Sequence, residues 1–196
     1  MKSPAYRSEQ LRTDYFAPAT IGCVVGARPT RMAGVLIRLA QPAELPYLQE
    51  IEVASGEPFR EVGMPEIADD DPMSLEDLAE HEVWVAVGSR GEPVAFIAID
   101  DVDGATHVHQ VSVHPSHARQ GIGAALIEHV TKAGRAVTLT TFRDVPWNEP
   151  YYERLGFRAV GQASPGLAEI MREEASRGLD PATRVAMVLL PAQERP

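Results

Sequence analysis

The sequence predicts an α/β protein built on one mixed, mostly antiparallel sheet of six to seven strands with helices on both faces. Three observations predict it. Apolar residues alternate between a period of two and a period near 3.6 along the chain. Two β-rich runs, "EVWVAVG" and "PVAFIAIDDV", flank the turn "SRGE" and read as an antiparallel hairpin. Further on, strand, helix and strand follow one another between 106 and 142, the order of a parallel βαβ crossover.

The elements follow in order. "GVLIRLA" (34–40) is a short apolar run and reads as the first strand. "QPAELPYLQEIEVASG" places Leu45, Leu48, Ile51 and Val53 near helical spacing, with Gly56 behind them. "EPFREVGMPEIADDDPM" is broken by prolines and glycines and reads as a loop. Ser74 then caps a short helix, "LEDLAEH". The hairpin supplies strands two and three, and the alternating "THVHQVSVH" a fourth beside them. "GIGAALIEHVTKAG" is an amphipathic helix with Ile122, Leu126, Ile127 and Val130 on one face and Gly134 at its end. "AVTLTTF" is the fifth strand, "NEPYYERLG" a short helix and "FRAVG" the sixth strand. "SPGLAEIMREEASRG" opens with Ser164 as N-cap and Pro165 at the first position and closes at Gly178. "TRVAMVLL" is the last strand.

Composition narrows the class. The chain has 196 residues, 44% of them hydrophobic, enough for the core of one domain. Its single cysteine, Cys23, excludes an internal disulfide framework. No apolar run approaches the roughly 18–20 residues of a membrane span. The opening residues also lack a signal peptide's apolar stretch, so the expected location is cytoplasmic. Residues 1–31 hold five basic and two acidic residues and three prolines, without periodicity; they are expected to be a flexible extension ahead of a domain at 32–196. The remainder holds thirteen basic and twenty-six acidic residues, a balance of −13 that repels nucleic acid and anionic membranes and tolerates a cationic substrate.

The stretch "VSVHPSHARQGIGAAL" carries the most chemistry. A helix N-terminus leaves N–H groups unpaired and carries partial positive charge. Gly121 and Gly123 remove Cβ atoms that would keep a phosphate away, and Arg119 adds a cation. The pattern is not G-x-G-x-x-G, because Leu126 stands at the third position, and it has no G-K-[ST].

This stretch resembles the acetyl-CoA loop of the GNAT superfamily of N-acetyltransferases, and "YYERLGF" (151–157) is similar to that family's closing motif. The resemblance follows the element order over 35–190 and implies a GNAT fold whose fourth and fifth strands splay apart. It implies that acetyl-CoA is held by the backbone of Val111, Ser112 and Val113 and by the loop residues Arg119, Gln120, Gly121, Ile122, Gly123 and Ala124. Two positions depart from the family pattern. Ala118 replaces a usual Gln or Arg, and Asn148 lies four residues before Tyr152 rather than about seven, which leaves its cofactor contact in question.

The implied chemistry is direct attack of a primary amine on the thioester. Tyr152 matches the family's general acid, rather than Tyr151. Counting back from Val113 gives His109 where the family often has a glutamate base; Glu57 and a water path are alternatives. His107 shares a face with His109, yet neither has further ligands at recognisable spacing, so no metal is expected. Glu57, Phe59 and Trp147 are the substrate-binding expectations, Phe59 and Trp147 as pocket walls and Glu57 for a cation. The expected acceptor is a small-molecule amine, because the long 56–73 loop and the helix 165–177 suit a closed site. A protein or peptide acetyltransferase and a non-catalytic acyl-CoA sensor are the alternatives, and a homodimer is left open.

Overall fold

The computed structural model describes residues 30–32 and 34–194. Eight strands form one sheet: β1 (Thr30–Met32), β2 (Val35–Leu39), β3 (Glu82–Val87), β4 (Pro93–Val102), β5 (Ala105–Val113), β6 (Val137–Phe142), β7 (Arg158–Ala159) and β8 (Arg184–Leu189), in the order β1-β2-β3-β4-β5-β6-β8-β7. Every neighbouring pair is antiparallel except β5 with β6. The helices are α1 (Leu45–Gly56), α2 (Pro65–Ala68), α3 (Leu75–Glu80), α4 (Ile122–Thr131), α5 (Glu149–Arg154) and α6 (Pro165–Ser176).

The sheet has one strand more than the sequence predicts. Thr30 and Arg31 pair with Ile37 and Leu36 across the turn at Gly34, so strand structure begins inside the segment expected to be an extension. A three-residue strand carries too short a pattern to be read from periodicity. The expected loop after α1 holds a 3₁₀ helix (Glu57–Val62) and α2, both opened by prolines at their first turn. Residues 1–29, with Cys23, lie outside the described residues.

The two faces of β3 set up two cores. Trp84 and Ala86 face α4, in a cluster with Ile97, Leu126, Leu139, Phe157 and Met187. Val83, Val85 and Val87 face α1 and α3, in a smaller cluster with Leu48, Ile51, Leu78 and Phe96. Ser74 caps α3 as expected, accepting from the Asp77 N–H at 3.0 Å. Ser164 stands at the N-cap of α6, but the acceptor there is Asp103 of the β4–β5 turn. Its Oδ2 receives the Gly166 N–H at 2.8 Å, and the Ser164 hydroxyl also bonds this carboxylate, which lowers its pKa.

Candidate active site

Two irregularities in β5 open the site. The first is a bulge: Val108 pairs with Ile99 and Gln110 with Ala98, leaving His109 as the extra residue. The second is divergence from β6. The parallel register runs only through Thr106↔Val137, His107↔Thr138 and Val108↔Leu139. Val111, Ser112 and Val113 therefore pair with β4 on one edge and with no strand on the other. This is the expected splay between the fourth and fifth strands of the sequence reading, here β5 and β6. The Val111 and Val113 side chains pack on the α4-side core. Ser112 is buried and bonds Ser55 of α1 and Gln110.

At the end of β5 the chain enters a 3₁₀ turn (Pro115–His117) and then a strained loop. Arg119 has φ +60° and Gly121 φ +78°, two left-handed positions that break the course of the backbone just before α4. Helical bonding resumes only at Ala125, whose N–H reaches the Gly121 carbonyl at 2.9 Å. The N–H groups of residues 119–124 donate to no acceptor among the described residues. A Cβ at Gly123 would sit 3.1 Å from the Tyr151 hydroxyl and 3.6 Å from Val113 Cγ2. Unpaired N–H groups at a helix start make a cradle suited to an anion, and here the Tyr151 hydroxyl lies beside it. Arg119 and Gln120 are exposed beside it, Ile122 is buried beneath it, and Ala124 is half-buried. Tyr151 was not singled out for this place by its spacing to Gly156; its position depends on how α5 packs against α4.

Tyr152 follows on α5, with its ring edge-on to Phe157 at 5.5 Å and packed against the α4-side core. Burial, reinforced by Tyr151, pushes its phenol well above the ordinary value, so it stays protonated at neutral pH. Asn148 is the N-cap of α5 and its carbonyl receives the Tyr151 and Tyr152 N–H groups at 2.8 and 3.0 Å. Its side chain makes no capping bond.

On the other face, the end of β6 joins the segment after α1 and the turn after α6 around a cleft of roughly 420 Å³. Its wall includes Met64, Phe142 and Leu179 and three carboxylates, Glu66, Asp144 and Asp180. Phe59 packs edge-on to Phe142 at 5.6 Å and to Trp147 at 5.8 Å, so the two expected wall aromatics meet behind this lining. Glu57 instead points to Arg60, at 3.1 Å, and is over half exposed. Arg60 also binds Asp69 at 2.5 Å, which ties the 57–69 segment together. The carboxylates that line the cleft are thus other residues than the expected Glu57, because 3₁₀ and α2 turns rotate Glu57 outward.

His109 lies on the same face, half-buried, with its ring 4.4 Å from His81 and 4.7 Å from His107. Its Nε2 is buried without a hydrogen-bond partner. Burial, and then the neighbouring His81, lower its pKa, so it is neutral near pH 7. Burial takes His107 to about 3. His107 Nδ1 lies 3.0 Å from Thr138 Oγ1. Neither histidine is among the residues lining the cleft. A further titratable group near neutrality, absent from the sequence expectations, is Glu52 on α1, raised by burial to about 7 while it accepts the Met73 N–H at 3.3 Å.

Residues 79–159, which span the hairpin, the cradle and α5, match the family model of the acetyltransferase (GNAT) domain. The chain carries a GNAT domain. The peptidyl-lysine N-acetyltransferase YjaB of Salmonella typhimurium is 28% identical over 86 residues, 44% of this chain and 57% of the relative. The chain thus spans little more than half the length of that curated relative. The solution structure of apo YjaB from Escherichia coli superposes with a TM-score of 0.55 at 23% identity, over 81% of this chain and 99% of that one. The PaiA N-acetyltransferase of Thermoplasma acidophilum, solved with coenzyme A, gives 0.56 at 15% identity over 79% and 97%. At these identities the structures establish the fold. It is the GNAT fold expected from the sequence, with the GNAT domain's parallel, splayed pair at β5 and β6.

Proposed function

We propose that this protein is an acetyl-CoA-dependent N-acetyltransferase acting on a primary amine. The observation that carries the reading is the run of six N–H groups, residues 119–124, that meet no acceptor among the described residues at the mouth of the β5–β6 splay. A pyrophosphate satisfies such donors, and the free edge of Val111–Val113 offers backbone partners to an extended amide chain like that of pantetheine. The complex of PaiA with coenzyme A supports the assignment of that ligand.

The acceptor enters from the opposite face. The carboxylates of Glu66, Asp144 and Asp180 attract an ammonium group to the cleft, and its aromatic and aliphatic lining suits a methylene chain. The ammonium loses its proton to water in the cleft, and the free amine attacks the thioester carbonyl. The tetrahedral intermediate collapses with loss of the thiolate, to which Tyr152 donates a hydrogen bond and, finally, a proton, while the nitrogen sheds its second proton to water and the Tyr152 phenolate is reprotonated from water. Its raised pKa keeps the donor in place through the working pH range.

The acceptor we favour is a small-molecule amine, because the 57–68 segment and the turn after α6 close over the cleft. A lysine side chain of a peptide is the second reading, favoured by the similarity to YjaB, a peptidyl-lysine N-acetyltransferase. Thiol release from acetyl-CoA, measured against a panel of small amines and a panel of lysine peptides, tests both. Turnover confined to one panel selects that reading. Thermal stabilisation by acetyl-CoA without thiol release on either panel overturns the catalytic assignment.

A further inference from the structure

His81, Asp100 and His109 come together on the α1 face from three separate elements: the residue that ends α3, the far half of β4 and the bulge of β5. His81 Nε2 and His109 Nε2 each lie 3.5 Å from the same oxygen, Asp100 Oδ2. That separation is too long for a hydrogen bond, whose N···O distance is about 2.7–3.2 Å. It equals the edge of a tetrahedron around an ion with ligand bonds of about 2.0–2.2 Å, which works out at about 3.3–3.6 Å.

We propose that His81, Asp100 and His109 form a three-residue site for a divalent transition-metal ion, with Zn²⁺ the best fit. Three further features favour it. His109 Nε2 is buried and otherwise has no partner. His81 Nδ1 donates to the Asp77 carbonyl at 2.5 Å, which fixes the tautomer and leaves Nε2 as a bare lone pair aimed at the cluster. Ligating histidines are held by such a bond to a backbone carbonyl. Lastly, the Asp100 side chain is 43% exposed, against 14% and 23% for His81 and His109, so the carboxylate opens a path from solvent.

The donor set points to the ion. Two imidazoles and one carboxylate suit Zn²⁺ and its Co²⁺ and Ni²⁺ neighbours, and are too few and too nitrogen-rich for Ca²⁺ or Mg²⁺. Three protein ligands leave a fourth position for water or an exogenous donor. The bulge shapes the site: Ala98 pairs with Gln110 rather than with His109, so His109 keeps the α1 face it shares with His107 and Asp100 but has no cross-strand partner of its own. When loaded, the ion cross-links α3, β4 and β5, and the His109 lone pair is engaged by metal.

The test uses untagged full-length protein freed of metal by chelator. Added Co²⁺ should give the intense visible bands of tetrahedral cobalt, and Zn²⁺ should abolish them. Zn²⁺ at about a hundred times its dissociation constant should raise the melting temperature by about 5–10 °C. His81→Gln, Asp100→Asn and His109→Gln should each weaken binding by at least about tenfold, the low end for loss of a mere supporting bond. His117→Gln, on the exposed loop, should leave it unchanged. In the unsubstituted protein, the imidazole NMR signals of His81 and His109 should move on Zn²⁺ addition while that of His117 stays, a readout independent of any variant's folding. Failure to take up either metal overturns the proposal. So does uptake that leaves the His81 and His109 signals in place. None of these readouts depends on acetyl transfer.

Discussion

The two faces of the sheet are built from the same strands and do opposite work. The α4 face is a continuous apolar core in which Leu126, Leu139 and Met187 are fully buried, and it ends in a backbone-lined anion cradle. The α1 face begins with a comparable apolar cluster around Leu48 and Ile51 and turns polar across β5, β6 and β8. There His81, Asp100, His109 and His107 are followed by Thr138, Thr140, Glu174 and Arg184. The bulge at His109 shifts the phase of β5, so that His109 and Gln110 both point to the α1 side. The difference teaches that the α4 face is held together by shape and the α1 face, past its apolar cluster, by pairing.

Four substitutions would break or sharpen that contrast. The largest effect is expected of Tyr152→Phe on the α4 side. It keeps the ring against Phe157 and removes only the donor, so kcat should fall by roughly ten- to ten-thousand-fold in a steady-state thiol-release assay. Acetyl-CoA affinity, read by calorimetry, should hardly change. A full rate would remove the acid role from Tyr152.

Glu174→Ala attacks the pairing of the α1 face. Glu174 of α6 holds Arg184 through two bonds, at 2.7 and 3.3 Å, and accepts from Thr140. Both side chains of the pair are about nine-tenths buried. The substitution strands a buried guanidinium, left over the Phe142 ring at 4.6 Å, and should cost about 3–5 kcal/mol in urea denaturation. A cost below about 1 kcal/mol would mean that this face does not depend on the pair.

Leu126→Ala is the matching change in the apolar face, where only shape is lost. It should cost about 2–5 kcal/mol, with the upper end reached if α4 cannot settle onto Trp84 and Ile97.

The smallest effect is expected of Glu52→Gln. The folded carboxyl sits near 7 against an ordinary 4.5, so the fold binds this proton more tightly than the unfolded chain does. The resulting stability is complete below about pH 4.5 and is lost as pH rises through about 7. Gln is neutral throughout and can still accept from the Met73 N–H. The variant should therefore match the parent near pH 5 and exceed it by about 1–2 kcal/mol at pH 8, in denaturation at the two pH values. A constant difference across that range would show that Glu52 does not titrate as its burial implies.

The sequence by itself determined the elements whose signals are local. Strands and helices follow from side-chain period, the hairpin from its turn residues, and the cradle from glycines at a strand–helix junction, because each depends on neighbours a few residues away. The motifs around Gly121 and Tyr152 also sufficed to name the family that the match over 79–159 bears out. Tertiary structure decided what depends on residues far apart in the chain. The pairing of β1, the Asp103 cap on α6 and the meeting of Phe59 with Trp147 have no local pattern. Likewise, Glu57 turns outward while Glu66, Asp144 and Asp180 line the cleft, because the backbone of short 3₁₀ turns sets side-chain direction. The fate of the histidines shows the division most sharply. Spacing put His107 and His109 on one face and gave them no companions; the pairing of β4 with β5 and the packing of α3 brought Asp100 and His81, both distant in sequence, to His109.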